Sequence, residues 1–161
     1  MVAISPAVFK VLLSGSHLLA WLSSAIVTGI TAYFLNNYAH DLHLIYEICI
    51  SAIFLAFWIP SFVLPFFGTY RAYYLPLNFV FSYLWLTSFI FSAQDYNTSS
   101  CWANSPATGH CTLKLTNEAF IFLAFFFTLV AFIVDIVALK ATAPVAAIPE
   151  KEVRPSGETA A

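Results

Sequence analysis

Three polar side chains stand inside long apolar runs of the chain: His17, Asn78 and Asp135. A charged group inside a bilayer costs at least ~2.5 kcal/mol on insertion scales, so such residues face a protein interior or a water path. His17 lies seven residues after Lys10, and Asp135 lies five before Lys140. At a helical rise of 1.5 Å per residue both sit about 8–11 Å below one membrane face. Asn78 enters its own run from that face at a shallower depth. The spacing predicts one polar cluster, in the third of a helix bundle nearest that face. Two chemistries fit it. One is an interhelical hydrogen-bond network that pins the helices, at ~0.6–2 kcal/mol per bond. The other is a proton- or ion-sensitive site. A transport path needs polar groups through the whole thickness, and the outer half of the runs offers only hydroxyls, which favours the network.

Cys101 and Cys111 enclose a loop of about ten residues, for which the chain-entropy model gives a disulfide roughly 2.5–3 kcal/mol of stabilisation. A redox pair, or a metal site with His110, is the alternative. Against both, the chain has no Cys-x-x-Cys, no second cysteine pair and no fourth ligand beside them. Cys49, within an apolar run, reads as a small apolar filler. Asn97-Thr98-Ser99 is an acceptor sequon for glycosylation, a few residues beyond the expected membrane edge. Glu47 and Glu118 are expected in first helical turns, where a carboxylate meets the positive end of the dipole. No Gly-rich phosphate loop, HExxH, histidine-box series or Ser/His/Asp set at an outer face occurs. No catalytic, cofactor-binding or metal-binding residue is therefore assigned.

Positioning these groups requires elements that cross a bilayer. Of 161 residues, 61% are hydrophobic and 18% aromatic, against 9% charged, and the mean hydropathy is +0.84. A soluble domain carries about 25% charge to cover its surface, so a soluble enzyme is excluded. The net charge of -2, without a basic patch, excludes a nucleic-acid binder. Four apolar runs cover residues 7–35, 44–67, 75–93 and 119–139. Each has ~20 or more residues, enough for a ~30 Å hydrocarbon core. In lipid the backbone must satisfy itself, so the runs are helices. None alternates at period two, as barrel strands do. Pro60 and Pro65 are expected to bend the second helix. At roughly 25 residues the first run exceeds a signal-peptide core and reads as a span.

The predicted fold class is all-α: a four-transmembrane-helix bundle, up-down-up-down, over residues 1–140. A short, Pro-rich tail of residues 141–161 reads as disordered. Four spans put both termini on one side, and Lys10, Arg71, Lys140, Lys151 and Arg154 then share that side against Lys114 alone. The positive-inside rule makes it the cytoplasmic side, N-in and C-in. The loop expected over residues 95–117 then faces the oxidising side, where a disulfide persists.

Small residues form seams. Ser16, Ala20, Ser24, Thr28 and Ala32 recur every fourth residue in the first run, with Ala25-x-x-x-Gly29 beside them. Ala124, Thr128, Ala131, Asp135 and Ala138 recur at 4-3-4-3 in the fourth. Such seams let helix backbones approach closely, within the bundle or between copies of the chain. The complementary surface is rich in Phe, including Phe79, Phe81, Phe89, Phe122 and Phe126, and is expected to face lipid tails or neighbouring proteins.

The most suggestive stretch runs Leu77-Asn78-Phe79-Val80-Phe81-Ser82-Tyr83-Leu84-Trp85-Leu86-Thr87, then Cys101…Cys111, then Glu118-Ala119-Phe120-Ile121-Phe122-Leu123. With the four-span pattern, it resembles a MARVEL-domain protein of the fungal type, the non-classical export and eisosome-organising group. The topology covers residues 7–140, and the motif-level likeness covers about 77–125. The resemblance implies a non-enzymatic organiser of lipid domains, membrane compartments or traffic, in the plasma membrane or the secretory pathway. It implies membrane lipids, sterol or sphingolipid among them, and homo-oligomers or other membrane proteins as partners. The alternative is a small channel or transporter built on His17, Asn78 and Asp135. A quinone-linked thiol oxidoreductase using Cys101 and Cys111 is a third possibility.

Overall fold

The computed structural model describes residues 6–38, 41–59, 61, 74–97, 100–104, 106 and 108–142. Within them the chain forms four helices: α1 (Pro6–Asn37), α2 (Leu42–Trp58), α3 (Tyr74–Asn97) and α4 (Cys111–Thr142). No strand occurs among the described residues. Ala7–Asn37, Tyr74–Asn97 and Cys111–Lys140 are long and apolar enough to cross a membrane. The fourth apolar helix, α2, has 17 residues, which at 1.5 Å each is about 25 Å.

Within the second run, expected over 44–67, α2 ends at Trp58 among the described residues. A proline at position 60 brings no amide N–H with which to continue a helix, and residue 60 itself lies outside the described residues. Ser61 closes the end by donating its amide and its hydroxyl to the Trp58 carbonyl, at 3.1 and 2.8 Å. Residues 62–67 with Pro65, the inner loop with Arg71, and residues 143–161 of the tail expected over 141–161 lie outside the described residues, while 141 and 142 are the last residues of α4.

The outer loop is also shorter than expected, because α3 runs on to Asn97 and α4 begins at Cys111. Hydropathy reads Thr112, Lys114, Thr116 and Asn117 as loop. They are helix-compatible, and Lys114 and Asn117 turn inward.

Neighbouring helices run in opposed directions. Between α1 and α2, Ser24 meets Ser51 while Trp21 meets Leu55. Between α3 and α4, Asn78 meets Asp135, Phe89 meets Phe122 and Asn97 meets Glu118. α4 packs extensively on both α1 and α3, and α1 on α2, whereas α2 touches α3 more lightly. The central core takes residues from all four helices, among them Ala20, Val27, Phe54, Trp85, Ile121 and Ala124.

Buried positions follow a 4-3 rhythm. In α1 they include Leu13, His17, Ala20, Ser24, Val27, Thr31 and Phe34; in α4, Lys114, Asn117, Ile121, Ala124, Thr128, Ala131 and Asp135. A 3.5-residue period drifts only ~20° per heptad, so such a seam stays inside over a long helix. This corrects the four-step seam on α1. Each step of four residues overshoots a turn by about 40°, so Ser16, Ala20 and Ser24 are buried, Thr28 is half-buried, and Gly29 and Ala32 are on the exterior. A Cβ built on Gly29 would meet nothing within 4 Å. The same rhythm takes Phe81 into the core, where its ring lies 4.7 Å from that of Trp58, and leaves Cys49 exposed.

Candidate functional site

The inner cluster draws on three helices. Asn78 of α3 donates its amide nitrogen Nδ2 to Asp135 Oδ2 of α4 at 2.7 Å. The same nitrogen lies 3.4 Å from His17 Nε2 of α1. Exposure is 0% for Asn78 and His17 and 4% for Asp135. α2 closes the group with Trp58, whose ring centroid is 6.2 Å from that of His17. Tyr74 stands edge-on to His17 at 5.9 Å. An N–H···O distance of 2.7 Å falls in the short, strong range for hydrogen bonds to carboxylates. The structure brings together the three residues whose sequence positions share a depth.

A second buried cluster, absent from the sequence expectations, lies toward the other end. Asn117 of α4 donates Nδ2 to Glu47 Oε2 of α2 at 2.9 Å and approaches Tyr96 Oη of α3 at 3.3 Å. Thr31 of α1 turns its hydroxyl toward the same carboxyl without closing a hydrogen bond to it. Each of the four helices gives one group, and Glu47 and Asn117 are 1% and 0% exposed. Two expectations are corrected here. α2 begins at Leu42, so Glu47 is beyond the first turn and on the face shared by Ser51, Phe54 and Trp58. Nor is the outer half limited to hydroxyls. Glu118 is likewise past the first turn of α4.

Eighteen residues separate Asn78 from Tyr96 on α3, and likewise Asn117 from Asp135 on α4. That is about 27 Å of helix, close to the ~30 Å hydrocarbon thickness of a bilayer. Between the clusters the bundle is filled by rings and small side chains. Phe54 stacks on Trp58 at 4.2 Å and meets Trp85 edge-on at 5.6 Å. Ser24 donates to the Ser51 carbonyl at 3.0 Å across the α1–α2 contact. The Ser16, Thr28 and Thr128 hydroxyls bond back to carbonyls one turn earlier in their own helices, which satisfies them without a partner helix.

At the outer rim, Cys101 and Cys111 lie at disulfide distance, with Cα atoms 5.8 Å apart. Lys114 is buried beneath them and donates Nζ to the Cys101 and Asn104 carbonyls, at 3.0 and 2.6 Å. His110 lies 2.8 Å from Tyr38 Oη through Nε2. Asn97 ends α3; its Nδ2, the atom a glycan would occupy, donates to Glu118 Oε1 at 2.9 Å. Asp41, His43 and Asp95 bring one potential ligand atom each within 4.8 Å of one another. His43 Nδ1 stands 2.9 Å from Asp95 Oδ2, and its ring stacks on Phe91 at 4.3 Å. His43 is one turn from Glu47 on the same face of α2, so this half-buried group lies directly outside the outer cluster.

No protein-family model, curated protein or solved structure matches the chain. Function therefore rests on what the two clusters can do. Their carboxyl, carboxamide, imidazole and phenol groups can clasp helices, hold a proton or coordinate a cation.

Proposed function

We propose that the chain is a non-enzymatic, multi-pass membrane protein of MARVEL type that organises lipid domains or membrane compartments. In this reading all four helices span the bilayer, up-down-up-down, with both termini cytoplasmic, in the plasma membrane or the secretory pathway. α2 is accommodated by local thinning of the bilayer, as short spans are. The observation that carries the reading is the division between interior and exterior. Polar groups are turned inward and clasped in two clusters, and the middle between them is packed. Large apolar residues from all four helices face outward, among them Leu22, Ile53, Phe79, Phe122, Phe126 and Ile133. A filled bundle with an aromatic exterior acts through what it touches laterally: lipid tails, sterol or sphingolipid, or further copies of the chain. Native mass spectrometry of the protein released from its own membrane tests this. Discrete oligomers retaining sterol or sphingolipid support it, and a bare monomer without lipid counts against it.

A second reading, a small channel or transporter, gains from the outer cluster, because Glu47, Asn117 and Tyr96 supply polar groups in the half of the bundle where only hydroxyls were expected. It requires that liposomes carrying the protein pass protons or a solute and that Asp135→Asn stops the flux. Tight liposomes with verified insertion would remove it.

A further inference from the structure

The outer cluster is built from oxygen. Glu47 offers a carboxylate, Asn117 its Oδ1, Thr31 its Oγ1 and Tyr96 its Oη, one group from each helix. No sulfur or imidazole faces inward among them, and oxygen-only sites select hard cations over the softer transition metals. Two of these oxygens are left over by the protein's own hydrogen bonding. Asn117 Oδ1 and Thr31 Oγ1 are buried and make no hydrogen bond. Nδ2 of Asn117 faces Glu47 Oε2 and Tyr96 Oη, which leaves Oδ1 of the same carboxamide without a donor. A buried polar group without a partner costs ~1–3 kcal/mol, a cost that a positively charged guest at this carboxyl would relieve.

Charge points the same way. The ion pair among the described residues is His43 with Asp95, not one to Glu47. The groups facing Glu47 from the packed elements are mostly acidic, with Asp41 at the start of α2 and Asp95 on α3 acting on it through space. On α4, Lys114 directs its ammonium to the Cys101 and Asn104 carbonyls, and Glu118 accepts from Asn97. One carboxylate inside a low-dielectric bundle is balanced by one positive charge, whereas a divalent ion would leave a buried excess.

We propose that Glu47, Asn117, Thr31 and Tyr96 form a binding site for a monovalent hard cation of the Na+ type, reached from the outer face past Asp41, His43 and Asp95. The site stands independently of the membrane-organiser reading: a bound ion would lock the four helices together at that end whether or not anything is transported.

The test is thermal unfolding of the purified full-length protein in detergent, with NaCl replaced stepwise by choline chloride at constant ionic strength. Wild type is expected to show a saturable rise in Tm with Na+ that choline does not reproduce. Glu47→Gln abolishes the response. Thr31→Val, which removes one ligand oxygen at nearly constant volume, raises the half-saturating Na+ concentration about tenfold, the scale seen when a metal site loses a supporting group. If Glu47→Gln does not fold, the wild-type titration and Thr31→Val still decide. Equal Tm values in Na+ and choline throughout would overturn the proposal, leaving Glu47 as a protonated hydrogen-bond partner. A Na+ response that persists unchanged in both variants would also overturn it, since the ion would then bind elsewhere.

Discussion

Leucine at Ser24 and leucine at Gly29 are expected to act in opposite directions, although the two positions lie on the same helix and in the same small-residue region of the sequence. Ser24 is fully buried against α2 and donates Oγ to the Ser51 carbonyl at 3.0 Å. Leucine there removes an interhelical hydrogen bond worth ~0.6 and up to ~1.7 kcal/mol. It also forces added carbons into a packed seam, at ~1–3 kcal/mol. Together these are about 2–5 kcal/mol of lost stability. Gly29 faces the exterior, where a Cβ meets nothing within 4 Å. Replacing a mid-helix glycine there recovers roughly 0.5–1 kcal/mol of helix propensity. Unfolding in mixed detergent and SDS micelles, followed by circular dichroism, reads both variants against wild type. If Gly29→Leu is destabilised as much as Ser24→Leu, the rotation assigned to α1 is wrong and the four-step seam does face the bundle. If Gly29→Leu keeps its stability but its cross-linked oligomers shrink, the exterior stripe is where copies of the chain meet.

Asn78→Leu removes the 2.7 Å donor to Asp135 and should cost about 1.5–3 kcal/mol, the range for hydrogen bonds to charged groups. In the double variant Asn78→Leu/Asp135→Leu much of that loss should return, because the buried carboxyl goes with its donor; a double variant no more stable than the single one would deny the coupling. Replacing Cys101 and Cys111 with Ser should lower unfolding stability by about 2.5–3 kcal/mol, measured against the oxidised wild type under the same conditions. Gly109 has φ of 80°, so Gly109→Ala should cost about 1–2 kcal/mol from backbone conformation alone. Its new Cβ would stand at an ordinary 3.5 Å from the Trp102 ring, and a neutral result in the same assay would show that the turn relaxes.

The inner cluster was legible because depth can be counted. Lys10 and Lys140 mark a membrane face, and His17 and Asp135 lie a known number of residues from them. The outer cluster was not, for two reasons. Hydropathy assigns residues 111–117 to a loop, which hides Asn117 and Lys114. Glu47 was read from its nearness to a helix end and not from its rhythm. The signal was present: continuing the Ala124, Thr128, Ala131 seam backward at 4-3 spacing gives Ile121, Asn117 and Lys114, and Glu47 precedes Ser51, Phe54 and Trp58 on the same period.

Composition and run length determined that this chain forms long apolar helices, since so few charges leave no other way to satisfy a backbone away from water. Hydropathy carries the second run to residue 67 with only a bend at Pro60, so the end of α2 at Trp58 came from the structure. The inward faces came from the structure as well: the sequence pattern sets Gly29 beside a packing seam and Phe81 on the exterior, whereas Gly29 is outside and Phe81 inside. Only the tertiary structure decided which inward residues meet. Glu47 and Asn117 are seventy positions apart, and their contact depends on the relative height and rotation of α2 and α4. Those quantities are set by the packing of all four helices at once, through the Phe54, Trp58, Phe81 and Trp85 rings and the Ser24–Ser51 contact, and no single helix carries them in its own sequence.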